Sequence, residues 1–267
     1  MINEDCSPLF TFHFSLLNML FAIDIGNSAI KFGVFDRETL LSKFSIPTKR
    51  DVTADDLRIA VGKNLDLPIS SAIVCSVVPE LDAPLAEFIN TALGTDPFFV
   101  TNSFDFGLTV KYKPLDAAGT DRLVNSFASV EKYGAPCIVC SFGTATTIDV
   151  VNEKRELVGG LIAPGMATMT RSLHFNTAKL PEVEIKKPDD VIANTTETSI
   201  QSGIFYSQIG LVESVVSRIK NEIVADTTVI ATGGFAPMIA DSTDVISAVD
   251  ENLLLDGLRM LHSRHER

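Results

Sequence analysis

Twice in this chain an apolar run breaks into glycine and small polar residues, and two further strand-like segments follow each break. The first copy reads Ala22-Ile23-Asp24-Ile25-Gly26-Asn27-Ser28-Ala29; the second reads Val139-Cys140-Ser141-Phe142-Gly143-Thr144-Ala145. After the first, residues 29–35 and 40–46 alternate around a turn at Asp36-Arg37-Glu38. After the second, residues 146–152 and 157–162 are separated by Glu153-Lys154-Arg155. Each block predicts three consecutive antiparallel strands.

Helices and further strands then follow. Thr53 to Asp56 has the form of a capping box opening a helix, and residues 81–93 read as a helix stopped by Gly94. Residues 120–133, 166–175, 199–223 and 252–262 read as helices, and 72–78, 98–100, 228–231 and 245–249 as strands. Residues 176–194 are polar and carry prolines, which predicts a loop. The pattern predicts an α/β protein of two halves built to one design, each a mixed sheet flanked by helices, with a cleft between them. The halves are expected to span residues 19–117 and 118–267, the boundary falling between Thr101 and Gly119.

The first 18 residues are set apart from the fold. They begin acidic, lacking the basic front of a signal peptide, and Met19 stands directly before the first strand. An N-terminal extension or an upstream start is expected there. The rest is core-forming: 46% of the chain is hydrophobic and 21% charged, which excludes a disordered chain. No apolar run is long enough to cross a membrane. The formal net charge of −12 disfavours binding to nucleic acid in general, yet leaves room for a compact anion held by local donors. Four cysteines, Cys6, Cys75, Cys137 and Cys140, are expected as reduced core thiols, as in a cytoplasmic protein. Cys137 and Cys140 have the spacing of a redox or zinc pair, but three positions along a strand reverses the face. His13, His174, His262 and His265 form no ligand cluster.

The glycine turns carry the chemistry. A carboxylate at the end of a buried strand, then a residue that admits close backbone approach, suits phosphate groups and the Mg²⁺ they carry. Asp24, Gly26, Asn27 and Ser28 fill that pattern, and Lys31 adds positive charge on the next strand. An ordinary hairpin whose acid caps its own turn is the structural alternative. Gly143, Thr144 and Ala145 repeat the turn, and Gly233-Gly234 after a late strand offers a third close approach, suited to an adenosine, though by itself it reads as a simple strand-to-helix turn.

These turns, in this order, resemble those of the actin-like ATPase and sugar kinase superfamily, whose halves are ribonuclease-H-like. Further motifs narrow the likeness: Val110-Lys111-Tyr112-Lys113-Pro114, Gly119-Thr120-Asp121-Arg122, and Gly159-Gly160-Leu161-Ile162-Ala163-Pro164-Gly165. With them the chain resembles the type III pantothenate kinases from about Met19 to its last helix. The resemblance implies ATP-dependent phosphorylation of pantothenate, an opening step towards coenzyme A, with Mg²⁺. Asp121 at a helix start would be the base, Arg122 would meet the substrate carboxylate, and Gly119, Thr120 and Tyr112 would line the substrate. It also implies a homodimer in which Thr196 reaches pantothenate in the partner subunit. By itself, Asp121-Arg122 also fits a helix N-terminal acid beside a solvated base.

One departure stands out. Where this chain has Ser141, the family usually carries an aspartate that helps hold potassium or ammonium. Three consequences are open: the cation binds through carbonyls and the hydroxyl, the enzyme works without it, or the chain is a weakened paralogue acting as a nucleotide-binding regulator. A related sugar or acetate-type kinase would usually need a longer chain.

Overall fold

A computed structural model describes residues 19–65, 67–223 and 226–265. The expectations about residues 1–18, including Cys6 and His13, lie outside the described residues. The chain runs β1 (Met19–Ile25), β2 (Ala29–Asp36), β3 (Thr39–Pro47), α1 (Ala54–Val61), β4 (Ile69–Ser76), α2 (Asp82–Leu93), β5 (Phe98–Phe99) and β6 (Thr109–Val110). It continues α3 (Thr120–Tyr133), β7 (Cys137–Phe142), β8 (Ala145–Val151), β9 (Glu156–Pro164), α4 (Met166–Asn176), α5 (Thr196–Glu222), β10 (Thr228–Thr232), α6 (Ala236–Ala240), β11 (Ala248–Val249) and α7 (Leu253–His265).

The strands form two sheets, ordered β3-β2-β1-β4-β5 and β11-β10-β7-β8-β9-β6. In each, three antiparallel strands are extended on one side by two parallel ones, β4 and β5 in the first and β10 and β11 in the second, and the second sheet gains the parallel strand β6 at its other edge. The repeat in the sequence is therefore a repeat of topology. β1 and β7 are apolar along most of their length because each lies at the centre of its sheet and is covered on both faces. β3 is an edge strand, and its burial alternates residue by residue.

Alternation sorts the side chains into three cores. Phe21, Ile23 and Ile25 of β1 face an outer core with α1 and α2. Cys140 and Phe142 of β7 face a second outer core with α4 and α5. Leu20, Ala22, Cys137 and Val139 face an inner core filled by α3 and α7, between the two sheets. Cys137 and Cys140 thus point to opposite faces, and burial pushes both thiols up to about 12, so neither is a reactive thiolate. Asp24 and Ser141 continue the inward alternation of their strands, so the two equivalent turn residues both face the layer that holds α3.

The caps agree with local chemistry. Thr53 and Asp56 form the capping box of α1, and Gly94 ends α2 at φ +68. α5 starts three residues before the expected Ser199, because Thr195 accepts from the backbone N–H of Thr198 and caps it. Three elements differ from expectation. α6 (Ala236–Ala240) is not among the expected helices. Thr109–Val110, inside the window expected to hold the boundary, hydrogen-bonds to β9 of the second sheet. The expected strand at 245–249 shortens to Ala248–Val249. Strands of two residues are too short to carry a period and exist through their partners.

Candidate active site

The first turn is held by Gly26 N–H donating to Ala29 O (3.1 Å) and by Thr48 Oγ1 donating to Gly26 O (2.6 Å). In the second, Gly143 N–H donates to Ala145 O (3.0 Å). The Thr144 carbonyl accepts from Gly165 N–H at 3.1 Å and from Thr168 Oγ1 at 2.6 Å. The two turns, 116 residues apart, touch: Ser28 Oγ and Thr144 Oγ1 share a hydrogen bond of 2.6 Å. The third turn packs on the second, since Gly233, at φ +93, sits where a Cβ would lie 2.5 Å from Phe142 O. Glycine is required there by both conformation and space.

Gly165 is equally constrained, for a Cβ would come within 2.1 Å of Gly143 O. Gly165→Ala is expected to force the second turn open and to cost about 1–3 kcal/mol. A denaturation midpoint equal to that of the parent would refute that packing argument.

Opposite the turns stands the N-terminus of α3. Gly119 precedes it, and a Cβ there would lie 2.6 Å from Asp121 Oδ1. That oxygen accepts from Arg122 N–H at 2.9 Å, so the carboxylate is folded back over the helix start. Burial pushes Asp121 above its ordinary pKa, against the backbone N–H and charge of Arg122. Asp24 is likewise pushed up by burial, against Lys31, whose Nζ lies 3.2 Å from Asp24 Oδ2, and with the Asp121 charge adding to the rise. Asp24, Lys31 and Asp121 thus sense one another across the inner layer.

Arg122 is more committed than its motif suggests. Its Nε donates to Asp149 Oδ1 and Oδ2 at 3.0 and 3.2 Å, and its Nη2 donates to Oδ1 at 2.5 Å. Burial opposes its charge, but the Asp149 hydrogen bonds outweigh that and hold the guanidinium above its ordinary pKa. Nη1 donates to Tyr112 Oη at 3.2 Å, and the guanidinium carbon lies 5.1 Å from the Tyr112 ring centre. One edge of the fork is therefore taken, and a substrate carboxylate can meet the end bearing Nη1 and Nη2.

Two anchors of this end carry no motif. Asn102 accepts from Thr120 Oγ1 (2.8 Å) and donates to the carbonyls of Ala118 (2.6 Å) and Leu115 (3.0 Å), tying the approach loop to α3. Asp149 was signalled indirectly: an acid inside the run Ile148-Asp149-Val150-Val151 needs a partner once buried.

Thr196 is elsewhere. It opens α5, exposed, on the wall of a cavity of about 840 Å³ between α4 and α5, with Met169, Leu173 and Ile200. Tyr112, Asp121 and Arg122 do not line that cavity. Ser141 pairs with Thr147 on one side and Thr232 on the other. Cross-strand pairs share a face, so this row offers neutral hydroxyl oxygens, while the nearby Asp149 is already neutralised by Arg122. Among the described residues no group of three or more His, Cys, Asp or Glu could hold a metal. Mg²⁺ needs no such cage, since one or two carboxylates and substrate phosphates suffice; Asp24 beside the glycine turns fits that requirement.

Twinned mixed sheets, facing glycine turns and a helix between them define an actin-like ATPase and sugar kinase architecture. A protein assigned as a Baf family transcriptional activator from Campylobacter jejuni has this fold with a TM-score of 0.59, at 19% identity, over 92% of this chain and 98% of its own. A protein assigned as an N-acetylmannosamine kinase from Listeria monocytogenes matches with a TM-score of 0.52, at 11% identity, over 93% of this chain and 100% of its own. The family model for type III pantothenate kinase matches residues 20–218. The type III pantothenate kinase of Geobacter sp. (strain M21) is 39% identical over 93% of this chain and 100% of its own length. That of Paramagnetospirillum magneticum is 41% identical over 92% and 98%. The chain belongs to the type III pantothenate kinase family.

Proposed function

We propose that this protein transfers the γ-phosphoryl group of ATP to the primary hydroxyl of pantothenate, a step towards coenzyme A, with Asp121 as base. The observation that carries the proposal is the meeting of the two glycine turns, Ser28 Oγ against Thr144 Oγ1 at 2.6 Å, with the Asp24–Lys31 pair (3.2 Å) beside the first of them, because it makes one phosphate-binding place from both halves. Gly26, Asn27, Ser28, Gly143, Thr144 and Ala145 cradle the phosphates, and Gly233 and Gly234 approach the adenosine. Asp24 would hold Mg²⁺, which supplies charge neutralisation on the phosphates when bound. Asp121 takes the hydroxyl proton as the oxygen attacks phosphorus and the bond to the ADP oxygen breaks. Arg122, oriented by Asp149 and Tyr112, binds the substrate carboxylate end-on, and Gly119 and Thr120 set the helix start against it.

Thr196 is assigned to the neighbouring subunit's pantothenate in a homodimer; its exposure beside an apolar cavity supports that reading. A cytoplasmic site of action belongs to this reading; among the described residues no helix is long and apolar enough to cross a membrane. The test is an assay of ATP turnover with and without pantothenate. Turnover that ignored pantothenate would overturn the proposal.

The row Ser141, Thr147 and Thr232 can offer a monovalent cation only neutral oxygens, so without formal charge the site is weakened. Activity is expected to be equal in potassium, ammonium and sodium. Ser141→Asp is expected to create a preference for potassium or ammonium of severalfold. Strong potassium activation of the parent chain would contradict this.

A further inference from the structure

A second cavity, of about 680 Å³, lies between the β2–β3 hairpin of the first half and α3 and α7. Small-ligand sites commonly have this size. Its floor is apolar, with Leu20, Phe127 and Met260. Its walls carry Arg37, Arg259 and Arg264, a concentration of positive charge in a chain whose net charge is −12. Glu38 and Glu131 also line it, but Glu131 is paired with Arg155, which leaves the cavity positive.

Three features separate these arginines from ordinary surface charge. The Nε of Arg259 is buried and has no acceptor among the described residues. A buried donor left unpaired is costly, which sets this guanidinium apart from a fully solvated surface arginine. Arg264 is held in place: its guanidinium carbon lies 5.5 Å from the Phe127 ring centre, and its Nη1 donates to Phe106 O at 3.2 Å. Arg37 faces them from the opposite hairpin, at a left-handed turn position (φ +52) that Arg155 shares (φ +57) in the corresponding turn of the second half. The C-terminal dipole of α7 would favour Arg259 and Arg264 even with no ligand. It explains neither the unpaired Nε nor the third arginine that the opposite hairpin brings to the same cavity.

The cavity is not the catalytic cleft. Leu20 and Asp24 lie towards opposite ends of β1, about 13 Å apart along a strand. Asp121 and Glu131 are ten positions apart on α3, about 15 Å along a helix. Both elements therefore separate the two places by more than a phosphate group can span.

We propose that this cavity is a second anion site, which binds a small phosphate-bearing molecule through Arg37, Arg259 and Arg264 with its apolar part on Leu20, Phe127 and Met260. Guanidinium groups favour phosphate through paired N–H donors. The test is calorimetric titration of the full chain with inorganic phosphate and with glycerol 3-phosphate, its catalytic cleft saturated by a non-hydrolysable ATP analogue, Mg²⁺ and pantothenate. Binding is expected to persist in the saturated protein and to weaken at least tenfold in Arg259→Gln. Arg37→Gly serves as the second variant, because glycine accepts a left-handed turn position freely: it should melt no lower than the parent and still bind at least severalfold more weakly. Tighter binding of the ester than of free phosphate identifies the apolar floor as part of the site; equal binding assigns the site to the phosphate group alone and removes Leu20, Phe127 and Met260 from it. Loss of all binding on saturation of the cleft, or binding unchanged in both variants, overturns the proposal.

Discussion

Asp121→Asn is expected to lower pantothenate-dependent kcat by roughly 10²–10⁴-fold, the usual worth of a positioned general base. The substitution keeps shape and one carbonyl oxygen, so the hydrogen bond from Arg122 N–H can persist. It removes only the proton acceptor. Burial raises the pKa of Asp121, and this gives the parent enzyme a second signature. Its kcat/KM should fall on the acid side with an apparent pKa above the ordinary aspartate value. The same shift has a stability sign. The folded state binds this proton more tightly than the unfolded state, so stability falls as pH rises from the ordinary aspartate pKa through the raised one. Above that window the penalty is complete. Asp121→Asn should therefore be no less stable than the parent at neutral pH while nearly inactive. Retention of parental kcat in a folded Asp121→Asn protein would remove Asp121 from the base role.

Asp149→Ala should have the largest effect on stability. Arg122 and Asp149 have side-chain exposures of 8% and 3%. Removing one partner leaves a buried charge uncompensated, which costs about 3–5 kcal/mol. In a chain of this size that corresponds to a fall in Tm of roughly 10 °C. Replacing the pair by apolar residues would be far milder, because the penalty comes from the orphaned charge. The KM for pantothenate should rise as well, since Asp149 orients the guanidinium on which the substrate carboxylate is proposed to sit. A parental Tm in Asp149→Ala would mean that the guanidinium finds water and that the pair is not closed off as described.

How far the site could be read in advance depended on the distance over which each residue acts. Gly26, Gly143 and Gly233 were legible as turns because each closes an apolar strand-like run, a local signal, although the contact that crowds Gly233 comes from Phe142, far away in the chain. The helix start at Thr120 was legible for the same reason, from its period and from the glycine before it. Asp149 had only the indirect signal of an acid inside an apolar run, and its partner was hidden. Arg122 and Asp149 lie 27 residues apart and meet only because α3 packs on the inner face of β8. Asn102 had no signal at all, since its role is to bond two carbonyls and a hydroxyl of a loop 13 to 18 residues further on. The short strand Thr109–Val110 was invisible because two residues have no period, and its pairing with β9 is made by a chain segment far beyond it.

The sequence by itself determined the twofold design: two strand–turn–strand blocks, their buried central strands, and the equivalent places of Asp24 and Ser141 within them. Those features follow from side-chain alternation and from the conformations open to each residue type, which act within a few positions. Only the tertiary structure decided what meets what: Ser28 with Thr144 across 116 residues, Arg122 with Asp149, and three arginines from a hairpin and a terminal helix around one cavity. These contacts are set by how α3 and α7 fill the space between the sheets, and that packing is a property of the whole core rather than of any stretch of chain.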